Sequence, residues 1–536
     1  MTTSFRDTTT GKIFDFIIGR EKKKHSHGDP SREVFETIVF VVVLVLMLKL
    51  FVAEAFVIPT GSMASTLWGD QVVVTCPDCG QKFPVTASAS QGPRIIPQST
   101  FCQNCGLEFA PANATDWNSG DRVLVGKYAY HIHDPHRFDV PVFKYPKAPY
   151  NATERTAMNY IKRLIGLPGE TIAIYRGDLY RTTSLKYEGR PRPELEKDLW
   201  QYDYTYANDP EAEKLFYAGP NAPGGFEPIR KSPEEILMVR RLVFDLDRAP
   251  KSLSGVNKIR WNEDPAAPAG WKNDESTFTH SGTNLGWIRY HHVRPGSWTI
   301  DPQTHHAITP DQPVEIKDFL SYNVTHGYQD GDSTQAHYWV PDLIVDCTAE
   351  FAHPEDTVTL ELNKANDKFQ AKFDNGTCRL FRISSTAPDK PVLMAEQKTD
   401  MRAGRYALRF ANVDSRLTVW VDGRPLNFGS GADYDPPNRD SFERTTADIH
   451  EPARIGATGN VTISKLSIWR DVYYTCYRGR DCGVQTFYVQ PGHYFCLGDN
   501  SSSSSDGRDW GLVPERLMLG RAVVVYWPLS RIGVIK

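Results

Sequence analysis

The chain has 536 residues, with 61 lysines and arginines against 65 aspartates and glutamates and a formal net charge of -4. That length exceeds one ordinary core and asks for two or three domains. The near-balance of charge excludes a global attraction to nucleic acid or to an acidic substrate, so local clusters must carry any specificity.

A basic tail comes first, over 1–33, with Arg20, Lys22, Lys23, Lys24 and Arg32. Behind it, 38–48 is an uninterrupted apolar run of 11 residues, which at about 1.5 Å per residue covers about half of a ~30 Å hydrocarbon core. Extended to 34–53 it reaches 20 residues, with Glu36 and Lys49 near its ends, where long charged side chains reach the headgroups. The pattern predicts a single transmembrane anchor over 34–57, its basic end in the cytosol and the rest of the chain on the outer face. A cleavable signal peptide is the rival, because Ala53, Glu54 and Ala55 form an A-x-A pattern.

Cys76 and Cys79 in CPDCG and Cys102 and Cys105 in CQNCG are separated by 22 residues. Four thiolates at this spacing predict a structural zinc ribbon over 76–116, each knuckle turning at its glycine. Two disulfides are the alternative, since the segment is placed outside the cytosol. A further disulfide between Cys476 and Cys482 is open to the chain.

From 190 to 341 the sequence is polar and proline-rich and predicts an irregular segment with few short elements. From 342 to 483 apolar residues alternate: Val358, Leu360, Leu362; Tyr406, Leu408, Phe410; Leu417, Val419, Val421, the last group closed by the Asp-Gly hairpin signal. Ile463, Leu466 and Ile468 alternate less regularly. Short strands at this spacing predict a β-sandwich, in pattern like a laminin-G or concanavalin fold.

A serine hydroxyl needs a base before it attacks. Ser62, in EAFVIPTGSMASTL, has no GxSxG elbow around it, and none of the 15 histidines sits in a motif that completes a Ser-His-Asp triad. Lysine is the other base. To be neutral near pH 7 it needs its pKa depressed by about 3.4, about 4.6 kcal/mol, which burial among apolar groups supplies. Lys162 in NYIKRLIGLPGE has that setting, next to Ile161, Leu164, Ile165 and Leu167.

In order, EAFVIPTGSMASTL, GDRVLVGKYAY (120–130), RFDVPVFKYP (137–146), YIKRLIGLPGE (160–170) and GDNSSSSSDGRDWGLVP (498–514) resemble the boxes of bacterial type I signal peptidases, membrane-anchored Ser/Lys serine peptidases. The resemblance implies Ser62 as nucleophile and Lys162 as general base, with an oxyanion hole from the Ser62 N–H and the Thr60 hydroxyl. It implies Ser504 as support for the base and Asp506 with Arg508 as a structural ion pair. Phe56, Ile58, Met63, Leu67, Tyr160 and Ile161 fall where the family shapes shallow pockets for A-x-A substrates; the same residues suit an ordinary core equally well. The sequence departs from the family at Ser65, usually proline, at Ser501, Ser502 and Ser503, and in the length between its boxes.

The fold expected is therefore mainly β. A transmembrane helix precedes an antiparallel catalytic domain assembled from 58–75, 117–189 and 484–536, with the zinc ribbon, the irregular segment and the sandwich inserted. The partners implied are signal peptides of preproteins and membrane lipid, with no nucleic acid and no catalytic cofactor. Two rivals are a self-cleaving Ser/Lys repressor-type peptidase, which the apolar segment disfavours, and a membrane-tethered binding protein whose sandwich takes glycan or polypeptide above an inert core.

Overall fold

The computed structural model describes residues 30–535 apart from 88–96, 112–115, 147–157, 188–206, 254, 267–269, 302, 306, 309–311, 324–337, 437–441 and 477–482. Most of the basic tail and Cys482 thus lie outside the described residues. The chain divides into two compact units, 1–54 and 55–536.

The first unit differs from the continuous span expected over 34–57. An α-helix, Pro30–Met47, passes into a π-helical turn, Leu48–Val52, and a strand, Ala53–Val57. No helix among the described residues is long and apolar enough to cross a membrane. The α-helix has 18 residues, about 27 Å at 1.5 Å per residue. Its first two turns spend that length on Arg32, Glu33 and Glu36, with Arg32 bonding Glu36 at 2.8 Å.

The second unit is built of antiparallel sheets. One runs in the order Ala53–Val57, Arg122–Gly126, Met518–Trp527, Pro141–Lys144, Asn159–Ile161, with Gly533–Val534 also on the long C-terminal strand. A second joins Arg163–Gly166, His493–Leu497 and Leu512–Pro514, and a third joins Glu227–Pro228, Asp178–Thr182, Thr171–Tyr175 and Gln485–Tyr488. Residues far apart in sequence therefore meet: Arg163 lies opposite Leu497, and Val142 opposite Ile161. GDQVVV at 69–74 and GDRVLV at 120–125 are alike in sequence but separate in the fold, since Gln71–Thr75 pairs with Lys82–Thr86 and Asp116–Asn118 while Arg122–Gly126 enters the first sheet.

A sandwich of an eight-stranded and a seven-stranded sheet encloses one large apolar core. Val358, Leu360, Leu362, Leu408, Phe410, Leu417 and Val419 point into it, as their period of two requires. Asp422 and Gly423 turn the hairpin with φ of 48° and 77°, the left-handed pair a two-residue turn needs. The uneven spacing of Ile463, Leu466 and Ile468 is a bulge. Asp346 pairs with Ser467 but Thr348 with Ser464, so three steps oppose two and Lys465 takes a φ of 52°.

The segment expected to be irregular is more ordered than its composition suggests. Arg241–Asp245, Trp271–Asp274 and Thr277–His280 join one sheet of the sandwich, and Trp261–Glu263 and Gly286–Tyr290 the other. These strands are three to five residues long, too short to display a period and dependent on the longer strands they flank.

Candidate active site

The strand Asn159–Ile161 closes one edge of the first sheet, and Arg163–Gly166 opens the second. Lys162 is the joint between them, its N–H donating to Pro141 O at 3.3 Å. It is 3% exposed. Tyr160 and Leu164 share an apolar cluster beside it, and its Nζ lies 5.4 Å from the Tyr160 ring centre. The ammonium is only 2.6 Å from Ser62 Oγ. Burial pushes the Lys162 pKa down to about 8, against the opposing pull of Asp506.

Ser62 stands on a short 3₁₀ turn, Gly61–Met63, entered through an extended Thr60. The turn is held from the loop that follows His493–Leu497: Asn500 N–H donates to Ser62 O at 3.0 Å and its side-chain amide to Gly61 O at 2.9 Å. Gly498 admits the close approach, since a Cβ there would lie 2.5 Å from Ser62 O and 2.1 Å from Ser504 Oγ. Ser504 Oγ itself is buried and has no hydrogen-bond partner among the described residues. The structure brings it to the nucleophile turn without the bond to the base that its expected role would give it.

Asp506 and Arg508 pair at 2.8 Å, and Asp506 also accepts the Gly498 N–H at 2.9 Å. Burial alone would raise the Asp506 carboxyl; Arg508 and that N–H outweigh it and hold the pKa below the usual carboxylate range. Arg508 further donates to Ser501 Oγ at 2.7 Å and Thr475 O at 2.6 Å, tying the serine run to the floor of the site.

A cleft of about 580 Å³ opens over the pair, lined by 58–62, 158–162, Thr86, Tyr322, Asn323, Ser503 and Ser505. Thr60, Ile58, Tyr160 and Ile161 are thus in its walls. Met63 and Leu67 are not: both are fully buried in the core beneath, with Phe56 packed on its edge. There the need to fill the interior behind the nucleophile turn governs these side chains. No histidine is among the lining residues.

Sequence reasoning missed a buried ion pair next to the dyad. Arg163 meets Asp499 at 2.6 Å, both within 1% of full burial, and Asp499 accepts Thr66 Oγ1 at 2.5 Å. The signal lay in adjacency, Arg163 following Lys162 and Asp499 following Gly498. It also missed Arg241, whose guanidinium donates to Ala64 O at 2.9 Å and Ser65 Oγ at 3.1 Å.

The four ribbon cysteines converge, with all four sulfurs within 4.8 Å of one another. Cys76 and Cys105 are 3.7 Å apart, Cys79 and Cys102 3.5 Å, far beyond the ~2.05 Å of a disulfide. A tetrahedron of sulfurs about 2.3 Å from one zinc ion has edges near 3.8 Å. Gly80 and Gly106 turn the knuckles at φ of 71° and 78°. Cys76, Cys79, Cys102 and Cys105 thus fit a closed zinc site. Cys476 is disulfide-bonded.

The model of the family described as signal peptidase, peptidase S26, matches residues 97–217 and 416–527. These ranges include Lys162, Ser504, Asp506 and Arg508; Ser62 precedes them. Signal peptidase I of Pseudomonas aeruginosa is 32% identical over 133 residues, 25% of this chain and 31% of that protein. A probable signal peptidase I-1 of Synechocystis sp. is 32% identical over 103 residues, 19% of this chain and 49% of that protein. The chain thus spans at most about half the length of these two relatives. Among solved structures, a carbohydrate-binding module from Bacillus subtilis covers 40% of this chain and 92% of its own length at 10% identity, with a TM-score of 0.19, too low to bear on a ligand.

Ser62 and the buried Lys162 lie in hydrogen-bond contact on a mainly β scaffold, the arrangement a serine nucleophile and its base need. Residues 97–217 and 416–527 of the chain are similar to the signal peptidase family, peptidase S26.

Proposed function

We propose that this protein is a Ser/Lys endopeptidase that removes signal peptides from exported preproteins after small residues in A-x-A sites. The observation that carries the reading is the 2.6 Å contact between Ser62 Oγ and a Lys162 ammonium buried to 3% exposure.

Neutral Lys162 takes the Ser62 proton as Oγ bonds to the scissile carbonyl carbon. The oxyanion is held by the Ser62 N–H and the Thr60 hydroxyl. Collapse breaks the C–N bond, and the Lys162 ammonium returns its proton to the departing amine. Water then attacks the acyl-enzyme, gives a proton to Lys162, and the tetrahedral adduct breaks at Oγ, which regains a proton from the lysine. Asn159–Ile161 is an edge strand whose residues line the cleft, which suits an extended peptide added as a further strand. Ile58 and Ile161 line the cleft beside it, which favours small apolar side chains.

Two further assignments accompany this reading. The ribbon holds one structural zinc ion, checked by metal analysis of the purified protein. The described apolar side chains from Val34 to Val52, all of them exposed, attach the protein to lipid; recovery of full-length protein in the soluble fraction after lysis overturns that part.

The test is cleavage of a preprotein by wild-type and Lys162→Ala protein, with the product N-terminus identified. Cleavage after A-x-A, lost in the folded variant, is expected; equal cleavage by both overturns the dyad.

A further inference from the structure

Part of the cleft comes from a segment that neither matched range of the family model includes. The 3₁₀ turn Ser321–Asn323 is fully buried against the nucleophile turn. Asn323 and Asn500 exchange a reciprocal pair of amide hydrogen bonds, at 2.8 and 2.7 Å. Asn500 in turn holds Gly61 O and Ser62 O. The Tyr322 ring lies 4.9 Å from that of Trp68, tilted by 46°, and stands where any Cβ on Gly61 would fall, 2.0 Å from its ring.

The turn is itself anchored on the cysteine knuckle. Gln103, between Cys102 and Cys105, accepts the Ser321 N–H at 2.8 Å and donates to Leu242 O at 2.8 Å. Leu242 follows Arg241, the residue that grips Ala64 and Ser65. One side chain of the ribbon therefore braces both supports of the nucleophile turn.

We infer that Asn323 is a positioning residue for Ser62, acting through Asn500, and that Gln103 holds Asn323 in place, so that the ribbon and the long segment after the base box are working parts of the peptidase site. The inference rests on the Ser/Lys reading above. An amide is the side chain that donates and accepts across one face at once, so Asn323 fixes the orientation in which the Asn500 side chain donates to Gly61 O, beside the Asn500 backbone N–H on Ser62 O. A shift of about 1 Å in a nucleophile costs up to about a hundredfold in rate.

The experiment uses full-length protein with Asn323→Ala, Gln103→Ala and the double variant, assayed well below their melting temperatures. Expected is a fall in kcat of about tenfold to a hundredfold for Asn323→Ala with KM nearly unchanged. Gln103→Ala should cost less, and the double variant no more than Asn323→Ala alone, because both act along one line of contacts. Hydrogen exchange supplies a readout independent of catalysis: amides in 61–67 should exchange faster in Asn323→Ala, while those of the sandwich strand Thr357–Lys364 stay as in wild type. Unchanged exchange in 61–67 overturns the inference, as do strictly multiplicative losses in the double variant. If instead Ser62→Ala leaves cleavage intact, the dyad is wrong, and the exchange comparison still decides the role of Asn323.

Discussion

The sandwich and the cleft bury side chains to opposite ends. In the sandwich the largest buried cluster is apolar, from Val358 and Leu360 to Phe410 and Ile468, where burial contributes stability in proportion to area, and its buried charges Lys364 and Glu361 are paired with Asp342 and Arg454. Around the cleft the buried set includes Lys162, Arg163, Asp499, Asp506 and Arg508, groups that are costly to bury unless paired. Four of them are paired, Arg163 with Asp499 and Arg508 with Asp506. Among the described residues Lys162 has the Ser62 hydroxyl as its hydrogen-bond partner, and its proposed role as base rests on that imbalance.

The sharpest way to break the contrast is to keep the charge and forbid its loss. Lys162→Arg leaves a cation that cannot deprotonate in this pH range. Cleavage should fall by at least about a hundredfold, the lower bound for losing a general base, and raising the pH should not restore it. Restored activity at pH 9 would mean that another group takes the proton.

Thr60→Val comes next. It keeps the shape and removes the hydroxyl, so kcat should drop by about 10² to 10³, as for other oxyanion donors, while Thr60→Ser stays near wild type. Equal rates for the two would remove Thr60 from the mechanism.

On the sandwich side, Leu360→Ala should cost about 2–5 kcal/mol in stability, measured by denaturant unfolding, with kcat of the folded protein little changed. A matching loss of kcat would show that the two regions are not separable.

What could be read from the sequence follows the same division. The long sandwich strands announce themselves because one face is buried and the period is two; the flanking strands 241–290 do not, being short and sheltered by neighbours. The meeting of Ser62 and Lys162 was legible because each residue sits in a dense local motif. Asn323 and Arg241 were not, since each acts across about 180 residues of chain on Asn500 or Ala64, and nothing local marks a residue whose partner is that distant. Met63 and Leu67 have the same composition signal as the cleft residue Ile58, and only the turn at Gly61 decides which side chains face inward.

The smallest effect to look for is a shift in a pH profile. The proposed mechanism requires neutral Lys162, whose pKa is lowered to about 8 with burial as the largest cause. Below that value kcat/KM should rise about tenfold per pH unit, flattening above it. Asp506 opposes the burial effect by favouring the ammonium, and Arg508 acts the other way. In Asp506→Asn the negative charge is gone and Arg508 loses its counter-charge, so both changes disfavour the ammonium. The lysine pKa should fall, and the rising limb of the profile should move to lower pH, provided thermal unfolding shows the variant folded. A limb that moves to higher pH would mean that Asp506 acts by holding the loop at Gly498 in place more than by its charge.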